Sequence, residues 1–292
     1  MPVDLHHLTY RHVDVFAREP LSGNGLTVFP DGGNLPPDLM QRLTQEMRQF
    51  ESIFLSPGDE PHTFRARIFT MEEELDFAGH PALGAACVLH ALREPEAARA
   101  EWVLRLNARD VSISTERMAG WYTATMDQGQ PAFLSELTAE EAEPYLAALS
   151  LMPDMLAPDL PLQVISTGLP YLIVPLRAGL AEARIVHPRF GDLLAQIGAQ
   201  FVYVLDVGAI EGRTWDNDGR VEDIATGSAA GPVGAYLVRH GHAQPGTEIV
   251  IHQGRFVGRP SEIAVRVDGE TDAIRSVLVR GDVRMVASGR FD

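Results

Sequence analysis

Three short stretches of the chain hold residue types able to manage a small charged substrate. Gly79-His80 and Gly227-Ser228 each open an apolar run rich in alanine and glycine, and the two pairs lie 148 residues apart, about half of the 292-residue chain. A helix entered through such a pair presents unpaired backbone N–H groups and the positive end of its dipole, which together attract an anion such as a carboxylate. The glycine lets a ligand approach the backbone closely. One such pair reads most simply as a helix cap; two in register favour a binding site. If two similar lobes face each other, both helix ends point into one cleft.

The third stretch is Glu51. It follows a helix expected over 37–50 and opens a strand, with Phe50, Ile53 and Phe54 around it. Strand alternation sets it on the face of Ile53 and Leu55, expected to point inward. In such surroundings the charged form of a carboxyl is disfavoured, so its pKa should rise toward neutrality and suit a general acid/base. A surface glutamate at a helix end fits the same residues equally well. His80 can donate to a substrate, relay a proton or satisfy backbone carbonyls. Asp223, four residues before the second pair, can hold a substrate amine or hydroxyl, or order its own loop.

Other chemistries find little purchase. His6-His7, His240-Gly-His242 and His252 lack convergent metal-ligand spacing, so no metal is expected. There is no Walker lysine motif, Gly23-Asn24-Gly25 is too short for a dinucleotide loop, and no nucleophile elbow surrounds a serine. No cofactor is required. The single cysteine, Cys87, sits in an apolar run, which suggests an inert buried thiol and excludes an internal disulfide. A net charge of −16 argues against nucleic acid as a partner. No basic-then-apolar leader and no run of about 18 apolar residues is seen, so the expectation is a cytoplasmic protein with no membrane contact.

These residues must be carried by a mixed fold. The 45% hydrophobic and 22% charged content is that of a globular protein, and 26 glycines with 20 prolines indicate many turns. Strands are expected at 12–16, 25–29, 52–55 and 64–70. Leu39, Leu43 and Met47 recur at one-face helical spacing behind Pro36 and Pro37. A Gly-His-Pro turn leads into a second helix, and strands in WVLRL, VSIS and WYTATMDQ follow. A Pro-rich acidic stretch near 129–162 reads as a linker followed by a helix. LQVIS, YLIVPL and FVYVLDV then read as strands, with a helix over 188–199. A Gly-Ser turn opens the last helix, and four strands, including separate ones at 276–281 and 283–289, close the chain. The repeated order predicts an α+β fold of two pseudo-symmetric lobes, each a curved, mostly antiparallel sheet wrapped around a central helix. The N-terminal lobe is expected over 1–128 and the C-terminal lobe over 129–292, with the last strand near 283–292 able to join the first.

Several segments, spread nearly end to end, resemble the PhzF-like family of phenazine-biosynthesis isomerases, which share their fold with diaminopimelate epimerase. They are DVFAREPLSGNGLTVF (14–29), Glu51-Ser52 behind its helix, RIFTMEEELDFAGHPALGAA (67–86), MDQGQP (126–131), VEDIATGSAAGPVGAYLVRHG (221–241) and QGRFVGRPS (253–261). The resemblance implies Glu51 as the acid/base, assisted by His80 and Asp223, with Gly79, Gly227, Ser228 and Asn24 binding substrate. It implies a cofactor-independent isomerase, commonly a homodimer, acting on a small carboxylate such as trans-2,3-dihydro-3-hydroxyanthranilate. Related racemases place two cysteines at the helix ends; here those segments read FAGHP and ATGSA. Two departures stand out: Phe50 where the family often has serine, and RTWDNDGR (213–220), which brings Asp216 and Asp218 near the second turn. Competing readings are a carrier or partner-binding protein without catalysis, and an epimerase acting at one carbon.

Overall fold

A computed structural model describes residues 5–292, and these fall into two compact units, one of residues 5–127 with 280–292 and one of residues 128–279. The architecture is α+β and dominated by sheet.

In the first unit, β1 (Thr9–Val15) pairs antiparallel with β2 (Asn24–Phe29), and β3 (Glu51–Pro57) runs parallel to β2. Next come β4 (Thr63–Thr70), the short β5 (Glu74–Leu75), β6 (Arg99–Arg105), β7 (Asp110–Arg117) and β8 (Tyr122–Asp127). The C-terminal strand, β16 (Ala273–Arg290), neighbours β8 and pairs antiparallel with β1, which closes this set of strands into a ring. Inside lies α2 (Gly79–Arg93), buried continuously from Gly79 to His90, with contacts to β1, β2, β3, β6, β7 and β8. Its sequence has charge only at the last turn, as a helix buried on all sides requires.

Helix α1 (Pro37–Met47) covers the opposite face of β2 and β3, where Leu39, Met40 and Leu43 pack on Phe29, Phe54 and Phe69. Phe29 and Phe54 stack at 4.5 Å, and Phe54 meets Phe69 edge-on at 5.6 Å. β2 and β3 are thereby held between two helices.

The second unit runs β9 (Ala132–Leu137), α3 (Ala139–Ala148), β10 (Leu162–Ser166), β11 (Pro170–Leu176), α4 (Phe190–Ala195), β12 (Phe201–Asp206), β13 (Glu211–Arg213), α5 (Gly227–Arg239), β14 (Glu248–Gln253) and β15 (Ser261–Glu270). Helix α5 is buried along most of its length and packs on β10, β11 and β15.

Several expectations are corrected. The first helix ends at Met47, not 50, because Arg48 turns left-handed (φ 55°). Gly79-His80 and Gly227-Ser228 are the first residues of their helices rather than turns before them. The helix expected over 188–199 is confined to α4. The stretch near 129–162 contains β9 and a helix with a full Thr138–Glu141 capping box, not a linker. The strands expected at 276–281 and 283–289 form one continuous β16. Gly281 and Asp282, where the two expected strands meet, are held by neighbours: a Cβ at 281 would lie 2.5 Å from the Phe16 ring, and the Asp282 carboxylate accepts from Arg18 (2.5 Å) and Thr123 (2.7 Å).

Gly84 marks how tightly α2 seats. A Cβ there would lie 2.5 Å from Leu26 Cδ2, 3.0 Å from Val15 and 3.3 Å from Val13, all of them fully buried. Alanine would gain about 1 kcal/mol in helix propensity, but overpacking costs about 1–3 kcal/mol. Gly84→Ala should therefore lower the urea midpoint; a raised midpoint would show this contact to be slack.

Candidate active site

In the first unit the chain travels from α1 to β3 in three residues, through the left-handed Arg48, and places Glu51 at the start of β3 opposite Leu26 and Thr70. Alternation sets Glu51 on the face of Ile53 and Leu55, the face that α2 covers. His80, the second residue of α2, brings Nε2 to 3.2 Å from Glu51 Oε2; the His80 and Glu51 side chains are only 8% and 15% exposed. The approach is off the line of a hydrogen bond. Burial pulls the His80 ring down to about 3, so it is neutral at physiological pH. What stands beside Glu51 is thus an uncharged ring, not an imidazolium.

Asn24 opens β2 two residues before Leu26, on the same strand face as Glu51's neighbour, and is buried. The loop that delivers it is pinned from below. The buried Asp14 accepts the Leu21 N–H at 2.7 Å, and Gly23 sits at φ 62° with room for no Cβ, which would lie 2.4 Å from the Val15 carbonyl oxygen.

Gly79 and His80 are the first two residues of α2. Its N-cap, Ala78, offers no side-chain hydrogen bond, and Pro81 has no N–H. In the second unit α5 begins in a comparable way. Its N-cap is Thr226, a residue type that usually caps with its own hydroxyl, yet that hydroxyl donates instead to Asp223 Oδ2 at 2.5 Å. Among the described residues the Gly227 and Ser228 amides donate no hydrogen bond within the chain. The Gly227 carbonyl is held by Gln128 Nε2 at 2.9 Å, and Gln128 Oε1 in turn accepts from Thr167 at 2.7 Å. Gly231 makes room for this amide, since a Cβ would fall 2.1 Å from Gln128 Oε1. Ser228 Oγ meets the Tyr171 hydroxyl at 2.8 Å. α3, with its complete capping box, is the contrast within the same unit.

The segment at 213–222 is a built hairpin. Arg213 forks onto Glu222 at 2.7 and 3.0 Å, donates to the carbonyls of Leu180, Ala181 and Ala183, and lies against the rings of Trp215 and Phe256. Asp216 accepts the Arg220 and Val221 amides, so its carboxylate is engaged in its own turn. Sequence reasoning missed Arg213, Gln128, Thr226 and Tyr171 as supports. MDQGQP and ATGSA pointed to the right segments, but nothing in one sequence pairs their side chains.

The family model of phenazine biosynthesis-like proteins, PhzC-PhzF, matches residues 13–289. The chain belongs to this family. A trans-2,3-dihydro-3-hydroxyanthranilate isomerase from Pseudomonas aeruginosa is 36% identical over 293 residues, covering 96% of this chain and 98% of the relative. The structure of a predicted epimerase from Pseudomonas aeruginosa superposes with a TM-score of 0.90 at 49% identity, covering 97% of this chain and 99% of that one. A PhzF-family phenazine biosynthesis protein from Bacillus anthracis shares the fold, with a TM-score of 0.84 at 22% identity and 98% and 99% coverage. The protein is an isomerase of the PhzF type. No helix among the described residues is long and apolar enough to cross a membrane.

Arg213 and Glu222 are both about one-tenth exposed, so removing one leaves the other as a buried uncompensated charge. Arg213→Met should cost about 3–5 kcal/mol in urea unfolding, and Arg213→Met with Glu222→Leu should regain most of it. A single variant costing less than about 1 kcal/mol would contradict the clamp.

Proposed function

We propose that this isomerase shifts a proton between two carbons of a small carboxylate, trans-2,3-dihydro-3-hydroxyanthranilate or a close analogue, with Glu51 as the acid/base. A C–H bond breaks and its proton passes to Glu51, the π electrons move along the conjugated system, and the proton is returned to another carbon. Nothing is oxidised or reduced overall. The observation that carries this reading is the Glu51 carboxyl 3.2 Å from a neutral, buried His80. A neutral ring does not lock the neighbouring carboxyl into a permanent ion pair, so Glu51 is able to take up a proton and release it. We assign Asn24 and Gly79 to substrate contact, Asp223 to the substrate amine or hydroxyl, and the Gly227 and Ser228 amides to its carboxylate. The substrate named for the 36%-identical relative supports the choice of compound. The resemblance to the family supports a homodimer, which a solution mass of twice 32.0 kDa would bear out.

Epimerisation at one carbon is the second reading, favoured by the predicted epimerase at 49% identity. The two-cysteine form of that chemistry is closed to this chain, because Cys87 is the single cysteine, is fully buried inside α2, and has its thiol pushed well above the ordinary range by that burial. A carrier without catalysis is set aside, since the chain is an isomerase.

Glu51→Gln keeps shape and removes the proton-carrying group. Turnover of trans-2,3-dihydro-3-hydroxyanthranilate should fall by at least about 10²–10⁴-fold, with circular dichroism and melting unchanged. A folded Gln variant that isomerises the compound at the native rate would refute the role of Glu51.

A further inference from the structure

Gln253, the last residue of β14, carries no charge and is 1% exposed, yet every hydrogen-bonding position of its side-chain amide is in use. Nε2 donates to the Asp223 carbonyl at 2.9 Å and to Thr226 Oγ1 at 2.9 Å. Oε1 accepts the Thr226 N–H at 3.2 Å and the Tyr203 hydroxyl at 3.1 Å. The orientation of the amide is not a free choice. Turned over, Oε1 would face a carbonyl oxygen and Nε2 would face a backbone N–H, so two main-chain groups fix it.

That orientation sets the direction of everything beyond it. Because the amide N–H can only donate, the Thr226 hydroxyl must accept from Gln253, and its single proton is directed to Asp223 Oδ2 at 2.5 Å. A hydrogen bond onto a carboxylate at this length is among the stronger kinds. The chain amide to hydroxyl to carboxylate therefore fixes both the backbone and the side chain of Asp223. Tyr203 anchors its far end: burial pushes that phenol well above its ordinary range, so it stays a donor. The ring has its place because residue 212 on β13 is glycine, where a Cβ would lie 2.0 Å from Tyr203 Cε1.

We infer that Gln253 is a positioning residue for the isomerase reaction: through Thr226 it holds the Asp223 carboxylate in the orientation that takes the substrate. This rests on the reading of Asp223 as the group that binds the substrate amine or hydroxyl. It also explains why the α5 N-cap threonine does not cap its own helix. Its hydroxyl is engaged with Asp223, and the Gly227 and Ser228 amides are left for a ligand.

The positioning is read first without substrate. In crystal structures of Gln253→Met and Thr226→Val, the Asp223 side chain should leave its native rotamer or split into two conformers, and in Thr226→Ser it should not. An Asp223 unmoved in both of the first two variants would overturn the inference. The consequence is read with trans-2,3-dihydro-3-hydroxyanthranilate, using Asp223→Asn, Thr226→Val, Thr226→Ser, Gln253→Met and Gln253→Met with Asp223→Asn. Thr226→Val keeps the backbone bonds to Gln253 and serves if Gln253→Met fails to fold. Losing the oriented bond should raise KM about tenfold with a smaller change in kcat, and Thr226→Ser should restore it. On the Asp223→Asn background Gln253→Met should add less than about twofold, since residues acting through one group are not additive. Full multiplication of the two effects, or a normal KM in Thr226→Val where Asp223→Asn raises it, would overturn the inference while leaving Asp223 in place. Wild-type KM and kcat in Asp223→Asn would instead remove the reading of Asp223 itself, and the inference with it.

Discussion

An imidazole ring shut away from water beside a carboxyl is the constraint on which the first unit is organised. A buried histidine stays uncharged, because the interior cannot solvate its cation. His80 meets that condition at the second residue of α2, and its partner Glu51 arrives on the first residue of β3. Both positions depend on α2 being wrapped by strands, on Gly84 letting it sit against Val13, Val15 and Leu26, and on α1 pressing β2 and β3 from the other side. The ring of strands closed by β16 is thus the means by which a carboxyl is held in a poorly solvated place beside a neutral ring. The proton-carrying role proposed for Glu51 draws on that arrangement.

The second unit solves a different problem. Helix ends carry backbone groups that need partners, and proteins usually supply them from a threonine, serine or aspartate at the N-cap. α3 does this in full with Thr138 and Glu141. α5 has the same residue type available and turns it away, toward Asp223. Two uncharged, buried glutamines carry the load instead, Gln128 on the Gly227 carbonyl and Gln253 on the Asp223 and Thr226 backbone. The Arg213–Glu222 pair anchors the hairpin that leads into this segment, and its cost in desolvation is offset by three carbonyls and two aromatic rings.

Much of this was legible from sequence because it rests on local pattern. The spacing of Leu39, Leu43 and Met47, the apolar helix behind FAGHP and the alternation around Glu51 each have a period that reports burial directly. The family was visible in FAGHP and EDIATGSA. What stayed hidden depends on partners distant in the chain. Arg48 ends α1 in a left-handed conformation that glycine or asparagine would have advertised. Gly281-Asp282 separates two expected strands until Phe16, Arg18 and Thr123 are brought to it. Gln253 lies 30 residues from Asp223 and 50 from Tyr203, and no periodicity links a glutamine to a threonine hydroxyl. The closeness of His80 to Glu51 was likewise not predictable from a separation of 29 residues, although each was chosen for its own chemistry.

The protonation state of His80 tests the account most directly, because an imidazolium there would pair with Glu51 and hold it as a fixed carboxylate. Nitrogen NMR of histidine-labelled protein, with His80→Asn to assign the signal, reads the ring itself. The account predicts neutral-imidazole shifts for His80 unchanged from pH 7 down to about 5, two units above the value near 3 to which burial brings it. Imidazolium shifts at pH 6 would contradict it, and would leave Glu51 as one half of a buried ion pair rather than a carrier of protons.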